Sequence, residues 1–272
     1  MRRWLTSALL GGGVGFAAYR RGALTLNGAL GAAVVGGIVF ARGGAPAAGA
    51  LLAFFGSSTA LSRLGTTRKE HAPLAQAKGA RRDVWQVLAN GGAATLCIGL
   101  GGPRQGGGGL VGALAVAAAD TWATELGLLS TRQPRLITTL SPVAAGTSGG
   151  ITPEGLAASV GGALVVGLTW VMLGGARRGL PVALLAGLGG SLMDSLLGAT
   201  VQALYRCPRC GVLTESEVHR PCRQFPELVR GHPWITNDAV NALSTLTGAA
   251  IGGALWRPSL TTERGGARQG RG

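Results

Sequence analysis

Long apolar windows, rich in Gly and Ala and free of Lys and Arg, alternate with short basic stretches along most of the chain. They run about Trp4–Tyr19, Gly22–Ala41, Gly43–Ser62, Val84–Pro103, Gln105–Gly127, Leu156–Ala176, Leu180–Tyr205 and Ala239–Trp256. A helix needs about 20 mostly apolar residues to cross a hydrocarbon core. The pattern therefore predicts an all-α, polytopic bundle of about seven or eight transmembrane spans, the first window being the shortest. Steps such as Gly31-Ala32-Ala33, Gly161-Gly162 and Gly187-x-Gly189-Gly190 let helix backbones approach closely in lipid. In water each such glycine would weaken its helix by about 1 kcal/mol relative to Ala. A membrane domain over 1–257 is expected, with a Cys/His loop at 206–223 and a disordered tail over 258–272.

Composition sharpens this picture. Only 13% of the 272 residues are charged and 5% aromatic, while 49 are Gly. There is no Gly-X-Y period, which excludes collagen, and the Ala, Leu and Val content excludes plain disorder. Mean hydropathy is a modest +0.34 because Gly dilutes it and basic connections lower it. The net charge is +14, with Arg supplying 23 of the 25 basic residues. These residues sit in clusters between apolar windows, where membrane anchors belong, so nucleic acid is not an expected partner. Arg2 and Arg3 precede an apolar run, but Tyr19-Arg20-Arg21 and further windows follow it. No cleavable signal is expected there, and the chain reads as polytopic.

Arg63–Asp83 carries Arg63, Arg68, Lys69, Lys78, Arg81 and Arg82, which assigns it to the cytosol. Counting spans then puts Leu128–Gly155 and Arg206–Asn237 on the same side. Both termini fall on the opposite side, although Arg264, Arg268 and Arg271 in the tail oppose that placement.

Ionisable residues at membrane depth are functional candidates. Asp120 lies in Ala119-Asp120-Thr121-Trp122-Ala123-Thr124-Glu125 and Asp194 in Ser191-Leu192-Met193-Asp194-Ser195. Asp238 and Asn241 open the last window, and Gln86 and Asn90 the fourth. Asp120 shares a helix face with Thr124, but Asp120 and Glu125 lie about 140° apart at 100° per residue. Both line one site only if that helix bends or unwinds. Carboxylates with Asn and Thr oxygens suit Mg²⁺, a hard cation that commonly accompanies phosphates. Pairing with buried Arg, or an ion pathway, is the alternative. The stretch Pro134–Thr152 is apolar yet rich in Pro, Gly and hydroxyls. It reads as a re-entrant or interfacial loop, with backbone N–H groups around Gly146–Gly150 as an anion cradle, or else as a plain connection. Cys207-Pro208-Arg209-Cys210 and His219-Arg220-Pro221-Cys222 match a closed structural Zn²⁺ site, with free thiols as the alternative. Cys97, inside a window, reads as packing.

Ala119–Gly127, Leu136-Ile137-Thr138-Thr139 and Gly146–Thr152 together resemble the integral-membrane family called domain of unknown function 92. Phe55–Ser58, Arg82–Gly92, Gly190–Gln202 and Asn237–Ser244 match as well, so the resemblance covers nearly the whole chain. The family includes a plant phytyl-phosphate kinase and is similar to CTP-dependent membrane transferases such as dolichol kinase and phosphatidate cytidylyltransferase. The resemblance implies transfer of a phosphoryl group from a nucleoside triphosphate to an isoprenoid monophosphate, at the cytosolic face of the cell membrane, with a divalent metal. By position it implies Asp120, Glu125, Asp194 and Asp238 as the catalytic and metal acids, with Asp120 and Asp194 on Mg²⁺. Lys69, Arg81, Arg82, Asn90, Thr138, Thr139, Thr147, Gly149 and Asn241 are implied for nucleotide and substrate. The Cys/His insert departs from the family pattern. A transporter or channel, or a cytidylyltransferase forming a CDP-lipid, is the competing expectation.

Overall fold

The structure, a computed structural model, describes residues 2–64, 81–219 and 221–256, with side-chain surroundings from residue 4 onward. Lys69 and the tail at 258–272 lie outside the described residues. Among the described residues seven helices carry the fold: α1 (Arg2–Arg20), α2 (Leu26–Arg63), α3 (Val84–Gln105), α4 (Gly107–Gly127), α5 (Pro153–Met172), α6 (Gly179–Thr200) and α7 (Asn237–Leu255). Of these, α2, α3, α5 and α6 are long and apolar enough to cross a membrane.

The fold is mostly helical, as expected, and among the described residues two small antiparallel sheets fill long connections between the helices. β1 (Arg135–Leu136) pairs with β2 (Gly150–Ile151), while β3 (Leu204–Arg206) lies between β4 (Leu213–Thr214) and β5 (Glu227–Arg230). Tyr205 stands opposite both Thr214 and Leu228. These connections are too long to be simple turns, and they satisfy their backbone polar groups by pairing with themselves.

The 38-residue α2 is two helices. A straight helix of that length would separate its ends by about 57 Å. Yet the Arg63 Nη2 group donates to the Arg21 carbonyl, just ahead of the helix start, at 2.7 Å. The reversal occurs at Gly44, whose φ of 67° and ψ of −160° break the helix one residue before Ala45-Pro46. This coincides with the boundary between the Gly22–Ala41 and Gly43–Ser62 windows. A second reversal at Gly102 (φ 58°) folds α4 back on α3. There a Cβ on Gly106 would stand 1.9 Å from the Cys97 carbonyl oxygen.

These reversals sort the molecule into two ends. At the far end, Trp170 and Trp256 meet edge to face at 5.9 Å, Arg178 lies 4.3 Å over the Trp256 ring, and the Trp256 indole donates to the Arg104 carbonyl at 3.0 Å. The near end gathers Arg21, Arg63, Arg82, the C-terminus of α4, both sheets and the N-terminus of α7. The start of α1 and the end of α7 both lie at the far end.

Helix α4 is the hub, buried continuously from Gly107 to Ala119 and packed by α2, α3, α5, α6 and α7. Its Gly108-x₃-Gly112 faces Gly248-x₃-Gly252 of α7. A Cβ on Gly112 would lie 2.1 Å from the Gly248 carbonyl oxygen, and one on Gly252 2.2 Å from that of Gly108. Only glycine permits such an approach, which brings two backbones into van der Waals contact. Gly248→Val should therefore destabilise the protein by about 1–3 kcal/mol, as overpacking does. Gly253→Ala, on the same helix with open space at its Cβ position, should leave the melting temperature in detergent unchanged.

Candidate functional site

Helices α4 and α6 run side by side toward the near end, and their spacing is set by small residues. A Cβ on Gly190 would lie 2.1 Å from Val116 Cγ2, and one on Gly187 would lie 3.3 Å from the Ala115 carbonyl oxygen. About one turn further along, Asp120 and Thr124 of α4 and Ser191, Asp194 and Ser195 of α6 open into one polar cavity. The i, i+3 and i+4 spacings hold each set on a single helix face. One oxygen of the Asp194 carboxylate, Oδ2, is fully buried.

The segment Gly146–Thr152 forms much of the remaining wall, with Asn237 of α7 beside it. Gly146 and Gly149 have φ of 83° and 84°, a region that favours glycine. Gly149 also presses on α6: a Cβ there would lie 2.5 Å from Ala199 Cβ. Thr147 Oγ1 donates to the Ala144 carbonyl at 2.7 Å, and the Gly150 N–H to that of Thr147 at 2.9 Å. Thr152 then caps α5, accepting from the Gly155 N–H at 3.0 Å. The positive end of the α5 dipole therefore meets a cavity wall of turned backbone, a setting that favours an anion.

The other expected residues lie elsewhere. Helix α4 continues unbroken to Gly127, so Glu125 leaves the Asp120 face, as the 140° separation requires. Glu125 instead accepts a hydrogen bond from Ser62 Oγ at 2.6 Å and faces Arg82. The Arg82 guanidinium carbon lies 6.0 and 5.9 Å from the Phe54 and Phe55 ring centroids. Burial lowers the Arg82 pKa, and the Glu125 charge opposes that shift. Arg82, Gln86 and Asn90 border a second, largely apolar cavity, lined by residues such as Val14, Phe40, Leu52 and Phe55. The Asn90 amide donates to the Gln86 carbonyl at 2.9 Å. Asp238 and Asn241 share a face of α7 with Thr245, which donates to the Ala89 carbonyl of α3 at 2.8 Å. Arg81, Thr138 and Thr139 are exposed and do not line the polar cavity.

The cysteines and histidine come together as their spacing predicts. One ligand atom each from Cys207, Cys210, His219 and Cys222 lies within 4.8 Å of all the others, and Cys210 Sγ is 3.7 Å from His219 Nδ1. Two turns build the cluster. In the first, the Gly211 N–H donates to the Cys207 carbonyl at 2.8 Å, with Gly211 at φ 72°; in the second, the Cys222 N–H donates to the His219 carbonyl at 3.2 Å. Burial pushes the Cys207 thiol up. The backbone N–H groups of Cys210 and Arg209, with the Cys210 and His219 side chains, outweigh that and draw it down to about 6. Its hydrogen bond to Cys210 pushes Cys222 up to about 11. Sequence reasoning missed Glu215, which accepts from Ser148 Oγ in the cavity loop, and Gln202, whose amide donates to the same hydroxyl at 3.2 Å.

The family model for the integral membrane protein DUF92 matches residues 9–249. This chain belongs to that family. It is 34% identical to Protein PGR of Arabidopsis thaliana over 229 residues, 74% of this chain and 79% of that protein. The uncharacterized membrane protein MJ0933 of Methanocaldococcus jannaschii is 32% identical over 204 residues, 74% of this chain and 73% of that protein. The uncharacterized membrane protein sll0875 of Synechocystis is 28% identical over 225 residues, 80% of this chain and 77% of that protein. No solved structure matches the chain. The match to DUF92 makes this an integral membrane protein and spans both cavities and the Cys/His cluster.

Glu125→Gln removes the charge opposite Arg82 and weakens the bond from Ser62. It should lower stability by about 1–3 kcal/mol, the scale of a lost hydrogen bond to a charged group. Thermal unfolding in detergent measures this.

Proposed function

We propose that this DUF92 protein is a membrane-embedded kinase that transfers the terminal phosphoryl group of a nucleoside triphosphate, CTP foremost, to an isoprenoid monophosphate. The observation that carries the reading is the convergence of Asp120 and Asp194 on one polar cavity beside the Gly146–Thr152 backbone. Phosphoryl transfer needs chiefly positioning and charge neutralisation, and this cavity offers both kinds of group. Two carboxylates with the hydroxyls of Thr124, Ser191 and Ser195 form an oxygen donor set that fits Mg²⁺. Mg²⁺ held there would offset phosphate charge during transfer.

The chain's own groups do the rest. The Gly146–Gly150 backbone and the N-terminus of α5 receive nucleotide phosphates, and Asp120 and Asp194 would hold Mg²⁺ beside them. An oxygen of the lipid monophosphate attacks the γ-phosphorus in line. The bond from that phosphorus to the β–γ bridging oxygen breaks, leaving a nucleoside diphosphate and a lipid diphosphate. We assign this end to the cytosol, since its connections carry more Arg than those at Gly44, Gly102 and Gly174. The two α2 halves and the six other helices make eight membrane segments in this reading.

A transporter fits less well. The α4 segment Gly107–Ala119 beneath the cavity is apolar and buried, so it supplies no polar lining toward the far end. The test is the full chain in detergent with Mg²⁺, a panel of nucleoside triphosphates and phytyl or geranylgeranyl monophosphate, with products identified. Lipid diphosphate is expected. Asp120→Asn and Asp194→Asn should each lower turnover on the order of 100-fold, the scale of removing a charge-stabilising group. Glu125→Gln, outside the cavity, should not abolish turnover. A CDP-lipid product would replace the kinase with a cytidylyltransferase, and no nucleotide-dependent product would overturn both.

A further inference from the structure

The Cys/His module touches the polar cavity through specific side chains. Its strands dock on the C-terminal end of α6, where Arg230 Nη2 donates to the Gly198 carbonyl at 2.7 Å. Cations are favoured at such helix ends. Gly231, at φ 76°, sits against Gln202, where a Cβ would lie 2.2 Å from the carbonyl oxygen. Between these contacts Glu215 stands one residue after β4, beside Arg230. One of its oxygens accepts from Ser148 Oγ, and the other is buried. Ser148 itself lines the cavity, between Thr147 and Gly149.

The cluster has the dimensions of a metal site. Metal–sulfur and metal–nitrogen bonds of about 2.3 and 2.0–2.1 Å in a tetrahedron set ligand separations of about 3.5–3.8 Å. The Cys210–His219 separation of 3.7 Å already meets this, and the widest, within 4.8 Å, closes with a small side-chain shift. Three sulfurs and one imidazole nitrogen with no open position suit Zn²⁺ in a structural role. Module core residues are few: Leu204, Tyr205, Cys207 and Thr214 are buried. A metal would therefore supply much of its order.

We propose that Cys207, Cys210, His219 and Cys222 bind one Zn²⁺, and that the metal-held module presents Glu215 as a positioning residue that fixes Ser148 and with it the Gly146–Gly150 wall of the cavity. The zinc folds the two turns, the folded turns set β4, and β4 carries Glu215 to the loop. This holds whichever group the cavity transfers.

The experiment uses the full chain purified in detergent without chelators. Elemental analysis should find one Zn²⁺ per chain, and Co²⁺ replacement should give the visible absorption of a tetrahedral thiolate site. Cys210→Ser with Cys222→Ser should lose both. Hydrogen–deuterium exchange then reads the coupling. Removing zinc should speed exchange in 204–230 and in 146–150. Glu215→Gln should speed exchange in 146–150 alone, with zinc retained, and adding Ser148→Ala should produce little further change. Metal-free protein with an ordered module overturns the zinc site. Zinc removal or Glu215→Gln that leaves exchange in 146–150 unchanged overturns the coupling. Neither result bears on turnover of lipid phosphate, so the kinase reading fails or stands separately.

Discussion

Backbone-to-backbone contact along α4 is the constraint on which the rest of the molecule depends. Gly108 and Gly112 meet Gly252 and Gly248 of α7, while Ala115 and Val116 meet Gly187 and Gly190 of α6. In hydrocarbon, apolar burial gives little reason for one helix to prefer another over lipid, so close packing must supply the attraction. Side chains as small as these leave little freedom in depth or rotation. The depth of Asp120 relative to Asp194 is therefore inherited from glycines one or two turns below them. A polar site can be assembled precisely in a membrane without its polar groups having to find one another.

Much of this architecture was legible in the chain. Apolar windows bounded by Arg became helices, and the window boundary at Gly43 fell one residue from the Gly44 reversal. The shared placement of the three long connections followed from counting those windows, and the helix arithmetic anticipated the divergence of Asp120 and Glu125. The Cys/His spacing also translated directly into a cluster, because both pairs sit on tight turns whose geometry is local. What stayed hidden depends on distant parts of the chain. Nothing near Glu215 in sequence points to Ser148, 67 residues away, and the sheet that aligns them is only a few residues wide. Ser191 and Ser195 look like ordinary helix hydroxyls until α6 is set beside α4.

The acids divide across the hub. Asp120 and Asp194 share an open polar space, whereas Glu125 lies with Ser62 and Arg82 near an apolar cavity. That second arrangement is what charge balance in a low-dielectric surrounding demands: a guanidinium amid Phe54 and Phe55 requires an anion close by. Resemblance by sequence position alone gave the two α4 acids one role, and helical geometry separates them. One lines the polar cavity; the other lies beside Ser62 of α2 and Arg82 just ahead of α3.

The Gly44 reversal has a further consequence for how such a chain enters lipid. The halves of α2 are joined by a single non-helical residue, as α3 and α4 are joined around Gly102. Each pair can partition as a prefolded hairpin, with most of its backbone groups paired inside helices. Arg42 and Arg104 are the charged side chains beside those turns. The bulky polar connections gather at the opposite end, so the small sheets and the Cys/His module can fold there in water, beside helices already packed in lipid.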